Sequence, residues 1–194
     1  MIYKIDFTYS DEITVINKKQ FDAHIRLYEG YINKFNEIEE IFEEGDSERD
    51  MANATYSKFR CLKKGANYSI NGVILHELYF QNLGGSLSEP STRTAEIISN
   101  YYGCVSDWTE DFIATAKASR GWAVMAFEQR TGKLMNVSLD SHSDGNIAYY
   151  APMLVLDVYE HAYFLQYGDN KNEYIRRFMQ NINWQVVDER MELW

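Results

Sequence analysis

Apolar positions along the chain change period twice. From Asn17 onward Phe21, His24, Tyr28, Tyr31, Phe35 and Ile38 recur three or four residues apart, which predicts one long amphipathic helix. It runs into the acidic stretch 37–50 and should end in a solvated turn near Gly45. Gly72, His76, Phe80 and Leu83 repeat the helical spacing and predict a second helix over about 67–83. Gly84, Gly85 and residues 86–91, with Pro90, break the pattern and read as a linker. Helices are then predicted at 92–102, stopped by Gly103, and at 107–118, capped by Asp107. Short apolar runs follow at 121–127, 133–139 and 153–156, read as strands, with a hairpin turn at Arg130-Thr131-Gly132. Three helices close the chain at 159–167, 172–180 and 184–192. The expectation is an α+β fold. A helical hairpin domain, residues 1–88, precedes a domain of residues 89–194 with a three-stranded antiparallel sheet and helices.

Composition narrows the class. With 194 residues, 45% apolar and 15% aromatic, the chain suits a folded core rather than a disordered segment. No run approaches about 18 apolar residues, so no membrane span is expected. The first residues lack a basic region followed by an apolar segment, so no signal peptide is expected, and a cytoplasmic location follows. Cys61 and Cys104 lie far apart with no C-x-x-C, and are expected to be buried thiols rather than a disulfide or a zinc site. A net charge of −10 argues against nucleic acid as a partner. It also repels an anionic substrate at long range. The oxygen spacing in 37–50 is not that of an EF-hand, and no function is assigned to it.

Candidate chemistry centres on Asp157. It ends the apolar run 152–156, and His161 follows four residues later. If the segment is helical, carboxylate and imidazole can point at one atom, half of a metal site. On spacing alone a plain helical Asp–His contact is the simpler account. His24 sits inside an apolar stripe, where a core histidine would also sit, and His142 lies in the polar loop 140–144, where a histidine is normally exposed. The chain has no H-E-x-x-H, P-loop or G-x-G-x-x-G motif.

The stretch Asp157-Val158-Tyr159-Glu160-His161-Ala162-Tyr163 resembles the Asp-x-Trp-x-His-Ala-Tyr signature of iron and manganese superoxide dismutases. The similarity extends through Leu165-Gln166-Tyr167, Asn181-x-Asn183-Trp184 and Glu189-Arg190. It also takes in Asn71-Gly72-x-x-x-His76-x-x-Tyr79-Phe80 and the strand opening Gly121-Trp122. The resemblance implies a mononuclear centre between the two domains, one iron ion per subunit with manganese close behind, held by His24, His76, Asp157 and His161. Trp122 would line the pocket. One branch of the family reaches the metal's solvent with a glutamine at the position of Gly72, and the other with glutamine or histidine at the position of His142. Gly72 and His142 are thus a consistent pair.

The match before residue 45 is looser. Tyr31 stands seven residues after His24, where the family has a tyrosine after eight. A one-residue deletion, turning a π-bulge into plain α-helix, would restore it as the residue that guards the entrance and relays protons. Otherwise Ile32 takes the position and a hydroxyl is lost. The family's entrance histidine is absent, with Tyr28 or Glu29 in its place. Phe80 and Tyr159 replace tryptophans, and Phe164 replaces a tyrosine. Glu160 is retained; in the family it bonds a ligand histidine of the other subunit, which implies a homodimer. Arg190 would add local positive potential. The implied activity is conversion of superoxide to oxygen and hydrogen peroxide. The alternative is a protein of this fold that binds metal, or is structural, with little or no turnover.

Overall fold

The computed structural model describes residues 1–144 and 148–193. Its first half is a pair of long packed helices, α1 (Lys18–Glu43) and α2 (Lys58–Gln81). Asn17 starts α1 by accepting from the Gln20 N–H, and Ser57 starts α2 by accepting from that of Arg60. Helix α1 ends where Gly45 takes a left-handed φ of +83°, as the acidic run suggested. It is α-helical throughout. Helix α2 begins nine residues earlier than its periodicity predicts. Lys58, Arg60, Leu62, Lys63, Lys64 and Ala66 are good helix formers, but of residues 58–66 only Ala66 is buried, so this part has no apolar stripe to read.

The Gly84-Gly85 pair is a crossing point rather than a slack linker. A Cβ on Gly85 would lie 2.5 Å from Asn183 Cα and 2.7 Å from Ile182 O, and Leu83 forms an antiparallel bridge with Ile182. Only glycine lets the two backbones approach this closely. Helices α3 (Thr92–Tyr102) and α4 (Val105–Ala118) follow. Helix α4 starts two residues before the predicted Asp107, because the Cys104 sulfur caps it by accepting from the Asp107 N–H at 3.4 Å. Both cysteines are exposed and free, which corrects the expectation of buried thiols. Cys104 occupies a helix corner, and Cys61 lies in the solvent-facing first turns of α2.

Strands β1 (Trp122–Glu128), β2 (Lys133–Leu139) and β3 (Tyr150–Asp157) form an antiparallel sheet in the order β2-β1-β3. The register of β1 on β3 shifts between Met125 and Ala126, where Pro152 enters β3. Proline is tolerated there because β3 is an edge strand, and an irregularity relieves the ladder of the missing N–H. Beyond the sheet come α5 (Glu160–Tyr167), α6 (Lys171–Met179) and α7 (Trp184–Met191). The core runs from Phe21, Tyr79 and Phe80 on the long helices through Trp108, Phe112 and the sheet to Phe178. The fold is α+β: helices first, then a three-stranded antiparallel sheet with helices around it.

Candidate metal centre

Four side chains from four elements meet at one point. The ligand-type atoms of His24 on α1, His76 on α2, Asp157 at the end of β3 and His161 on α5 all lie within 4.8 Å of one another. Asp157 Oδ2 is the focus. His24 Nε2 and His161 Nε2 are each 3.0 Å from it, and His76 Nε2 is 3.7 Å away. Atoms held about 2.1 Å from a shared ion lie at most about 4.2 Å apart, so a small contraction closes this set around one metal. Asp157 and His161 converge without a continuous helix. The strand ends at Asp157, whose Oδ1 accepts from the Tyr159 N–H at 2.9 Å, and His161 lies in the first turn of α5.

Hydrogen bonds to one carbonyl and from one indole settle two protons. His76 Nδ1 is 2.6 Å from Gly72 O. A carbonyl only accepts, so Nδ1 carries the proton and Nε2 is a free lone pair. That Nε2 is buried with no hydrogen-bond partner, facing a carboxylate. A lone pair opposed to a carboxylate is what a cation resolves. Likewise Trp122 Nε1–H can only donate, and it reaches His142 Nδ1 at 3.0 Å, so His142 carries its proton on Nε2. That N–H is also buried without a partner.

Charge follows burial. Burial alone would raise the Asp157 carboxyl, yet His161 and His24 hold it well below the usual range. Burial lowers His24, and it lowers His76 strongly, with His24 adding to the effect. His161 is opposed by burial, but Asp157 wins and raises it. An ionised carboxylate among imidazoles, two of which resist protonation, is a donor set that suits a di- or trivalent ion.

The neighbouring residues are placed as follows. Tyr31, not Ile32, turns toward the cluster, its ring 5.3 Å from His76 and 4.8 Å from His142, whereas Ile32 is buried in the core. Plain α-helix between His24 and Tyr31 accommodates the shorter spacing. Gly72 packs closely here: a Cβ would meet Tyr31 Cγ at 3.1 Å and His142 Cδ2 at 3.3 Å, so a larger residue would press on both rings. His142 is fully buried rather than exposed, and burial pushes its pKa down to about 4. Trp122 pairs across the sheet with Asp157, and its ring lies 5.0 Å from His76. Tyr159 stacks on His161 at 5.1 Å. Tyr28 is the inward residue of the Tyr28/Glu29 choice; its hydroxyl donates to Glu77 at 2.7 Å, while Glu29 pairs with Lys4 outside. Glu160 is exposed next to His161. The Arg190 guanidinium donates to Met153 O at 2.9 Å and Gln81 Oε1 at 2.7 Å, tying α7 to β3 and the end of α2.

Supporting residues were not singled out from the sequence. Tyr174 donates to Asp157 O at 2.8 Å and shares a bond with Tyr79 at 3.0 Å. Gln20, fully buried, bonds His161 O at 2.6 Å and the Leu165 N–H at 3.0 Å. Tyr68 stands one helical turn before Gly72, and its spacing to Gly72 and His76 was a usable signal.

Comparison with known proteins agrees with this geometry. A family model described as iron/manganese superoxide dismutases, C-terminal domain, matches residues 90–190. The chain is 38% identical over 180 residues to a superoxide dismutase [Fe] of Aquifex aeolicus, covering 91% of this chain and 84% of the relative. It is 34% identical over 184 residues to a superoxide dismutase [Fe] of Cupriavidus metallidurans, covering 92% and 90%. A superoxide dismutase [Mn] 1 of Halobacterium salinarum is 31% identical over 172 residues, covering 87% and 82%. With three histidines and an aspartate converging as described, the chain belongs to the iron/manganese superoxide dismutase family.

Proposed function

We propose that this protein is a superoxide dismutase, with His24, His76, Asp157 and His161 as ligands of one iron or manganese ion. The observation that carries the reading is the buried, unpartnered His76 Nε2 lone pair facing Asp157. When bound, the metal would supply one-electron chemistry, oxidising one superoxide to oxygen and reducing the next to hydrogen peroxide. The rest belongs to side chains. Asp157 stays ionised. Gly72 O fixes the His76 tautomer, and Trp122 fixes that of His142, whose Nε2–H is left to donate into the site. Tyr31 stands at the entrance, able to hand on a proton. Iron is preferred because Gly72 leaves the donor role to His142. The ligands come from both sides of a division near residue 88. A homodimer through the Glu160 face and a cytoplasmic location complete the proposal. The survival of all four ligands in one cluster favours turnover over a purely structural role.

Metal analysis with a superoxide assay tests it. His76→Ala and Asp157→Ala should each abolish metal retention and activity, because a four-ligand site tolerates few losses. Near-stoichiometric metal in either variant would sink the assignment.

A further inference from the structure

His161 is the least buried of the four ligand-type residues. Its side chain is 25% exposed, whereas those of His24, His76 and Asp157 are fully buried. It stands in the first turn of α5, a helix of 8 residues with no side-chain cap at Tyr159. So short a helix is marginal by itself, and where its first turn points depends on what holds it. Asp157 has Tyr174 on its carbonyl at 2.8 Å. For His161 the corresponding tie comes from α1. Gln20 Nε2 donates to His161 O at 2.6 Å, and Gln20 Oε1 accepts from the Leu165 N–H at 3.0 Å. A carbonyl only accepts and a backbone N–H only donates, so these partners fix which way the Gln20 amide faces. His161 O and the Leu165 N–H are also the pair that closes one turn of a regular helix. A side-chain amide from another helix thus grips both ends of the turn that carries the ligand.

Gln20 also stands one turn before His24, on the same face of α1. His24 Nε2 and His161 Nε2 each lie 3.0 Å from Asp157 Oδ2, and their ring centroids are 5.1 Å apart. A fully buried amide costs free energy unless both of its ends are bonded. Gln20 is fully buried, and both of its ends are bonded to α5. We propose that Gln20 is a positioning residue: it holds the turn of α5 that aims His161, and so sets His161 against His24 and Asp157. It acts through the His161 backbone. What this brace serves is the proposed metal site, but its bonds do not depend on that reading. A glutamine that only filled space would be replaceable by methionine, which has nearly the same length and no amide.

Variants of the full-length protein separate these accounts. Gln20→Met keeps the length and removes both bonds. Gln166→Met is the control: the exposed Gln166 Oε1 accepts from the Asn17 N–H at 2.6 Å, so it also ties α5 to the start of α1, but at no ligand. In the metal-free chain, the nitrogen NMR resonances of the His161 ring report its bond to Asp157. Gln20→Met should shift the His161 Nε2 resonance, and Gln166→Met should not. In competition with a chelator, Gln20→Met should hold iron about 10-fold more weakly, the usual loss when a ligand's support is removed. Its ferric electron paramagnetic resonance line shape should change as well, with both quantities normal in Gln166→Met. If Gln20→Met does not fold, Gln20→Asn, shorter by a methylene, cannot grip both ends of the turn and should give the same shift. An unchanged His161 resonance in a folded variant overturns the positioning role whatever the metal content. So does a wild-type line shape in iron-loaded Gln20→Met. A shifted resonance in a protein whose wild type retains no iron would instead keep the brace and count against the metal reading.

Discussion

His142 shows how one residue's role depends on a proton. Trp122 accepts nothing, so the bond between them puts the His142 proton on Nε2. Its contacts with Gly72 and Tyr31 place it beside the cluster rather than in it. His142→Ala should therefore keep the metal while shifting its reduction potential and lowering turnover, since hydrogen bonds around a centre tune it. Redox titration checks this; an unaltered potential would remove His142 from the role. A His142→Ala, Gly72→Gln double variant moves the donor onto α2, but the glutamine must displace the Tyr31 ring to enter.

Among the elements, the join between α2 and the start of α7 is the tightest. Gly85 sits against Ile182 and Asn183, and Asn82 O accepts from the Asn183 N–H at 2.9 Å. Arg190, buried enough for its pKa to fall to about 10, adds bonds to β3 and α2 from the far end of α7. These ties hold the helix that carries His76 against the strand that carries Asp157. Gly85→Ala should cost about 1–3 kcal/mol, the usual penalty for forcing atoms into a packed site. Urea denaturation measures it, and a cost near zero would mean that the crossing relaxes freely.

For the molecule as a whole, pH and association provide the tests. Burial holds His24, His76 and His142 below their ordinary value of about 6.5. The unfolded chain therefore binds more protons than the folded one below about pH 6.5. Stability of the metal-free protein should be fully present above that pH and decline as pH falls toward 4. Asp157 acts in the same direction at lower pH. His161 has the opposite sign: its contribution is present below about 6.5 and is lost as pH rises through its raised value. Below about pH 6.5 the His161 contribution is complete and only the lowered groups still change, so denaturation from about pH 6.5 to 4 should show a net loss; a flat profile would contradict the burial argument. The proposed dimer would use the face of Glu160, and Phe164 and Leu165 are 53% and 54% exposed on the same helix. In ultracentrifugation, Glu160→Ala should weaken a dimer and lower metal content together. Unchanged affinity and unchanged metal would remove the cross-subunit bridge.

Much of the fold was legible in the chain itself. The helical stripes, the strand runs and the turn at Gly45 arise between near neighbours, and local periodicity records them. The cluster of His24, His76, Asp157 and His161 was legible for another reason: the resemblance of a seven-residue signature implied those four residues together, and the structure brings them within 4.8 Å of one another. The start of α2 was hidden, because residues 58–66 carry no buried stripe. The cysteines were misread, because their exposure depends on which helix face meets protein. Tyr31 against Ile32 and the burial of His142 were decided only by tertiary structure. Each depends on packing between segments distant in sequence, as do the tautomer of His142 and the convergence of three imidazoles on one oxygen of Asp157. Periodicity reports that a residue has a buried side; it carries no information about the atom waiting there.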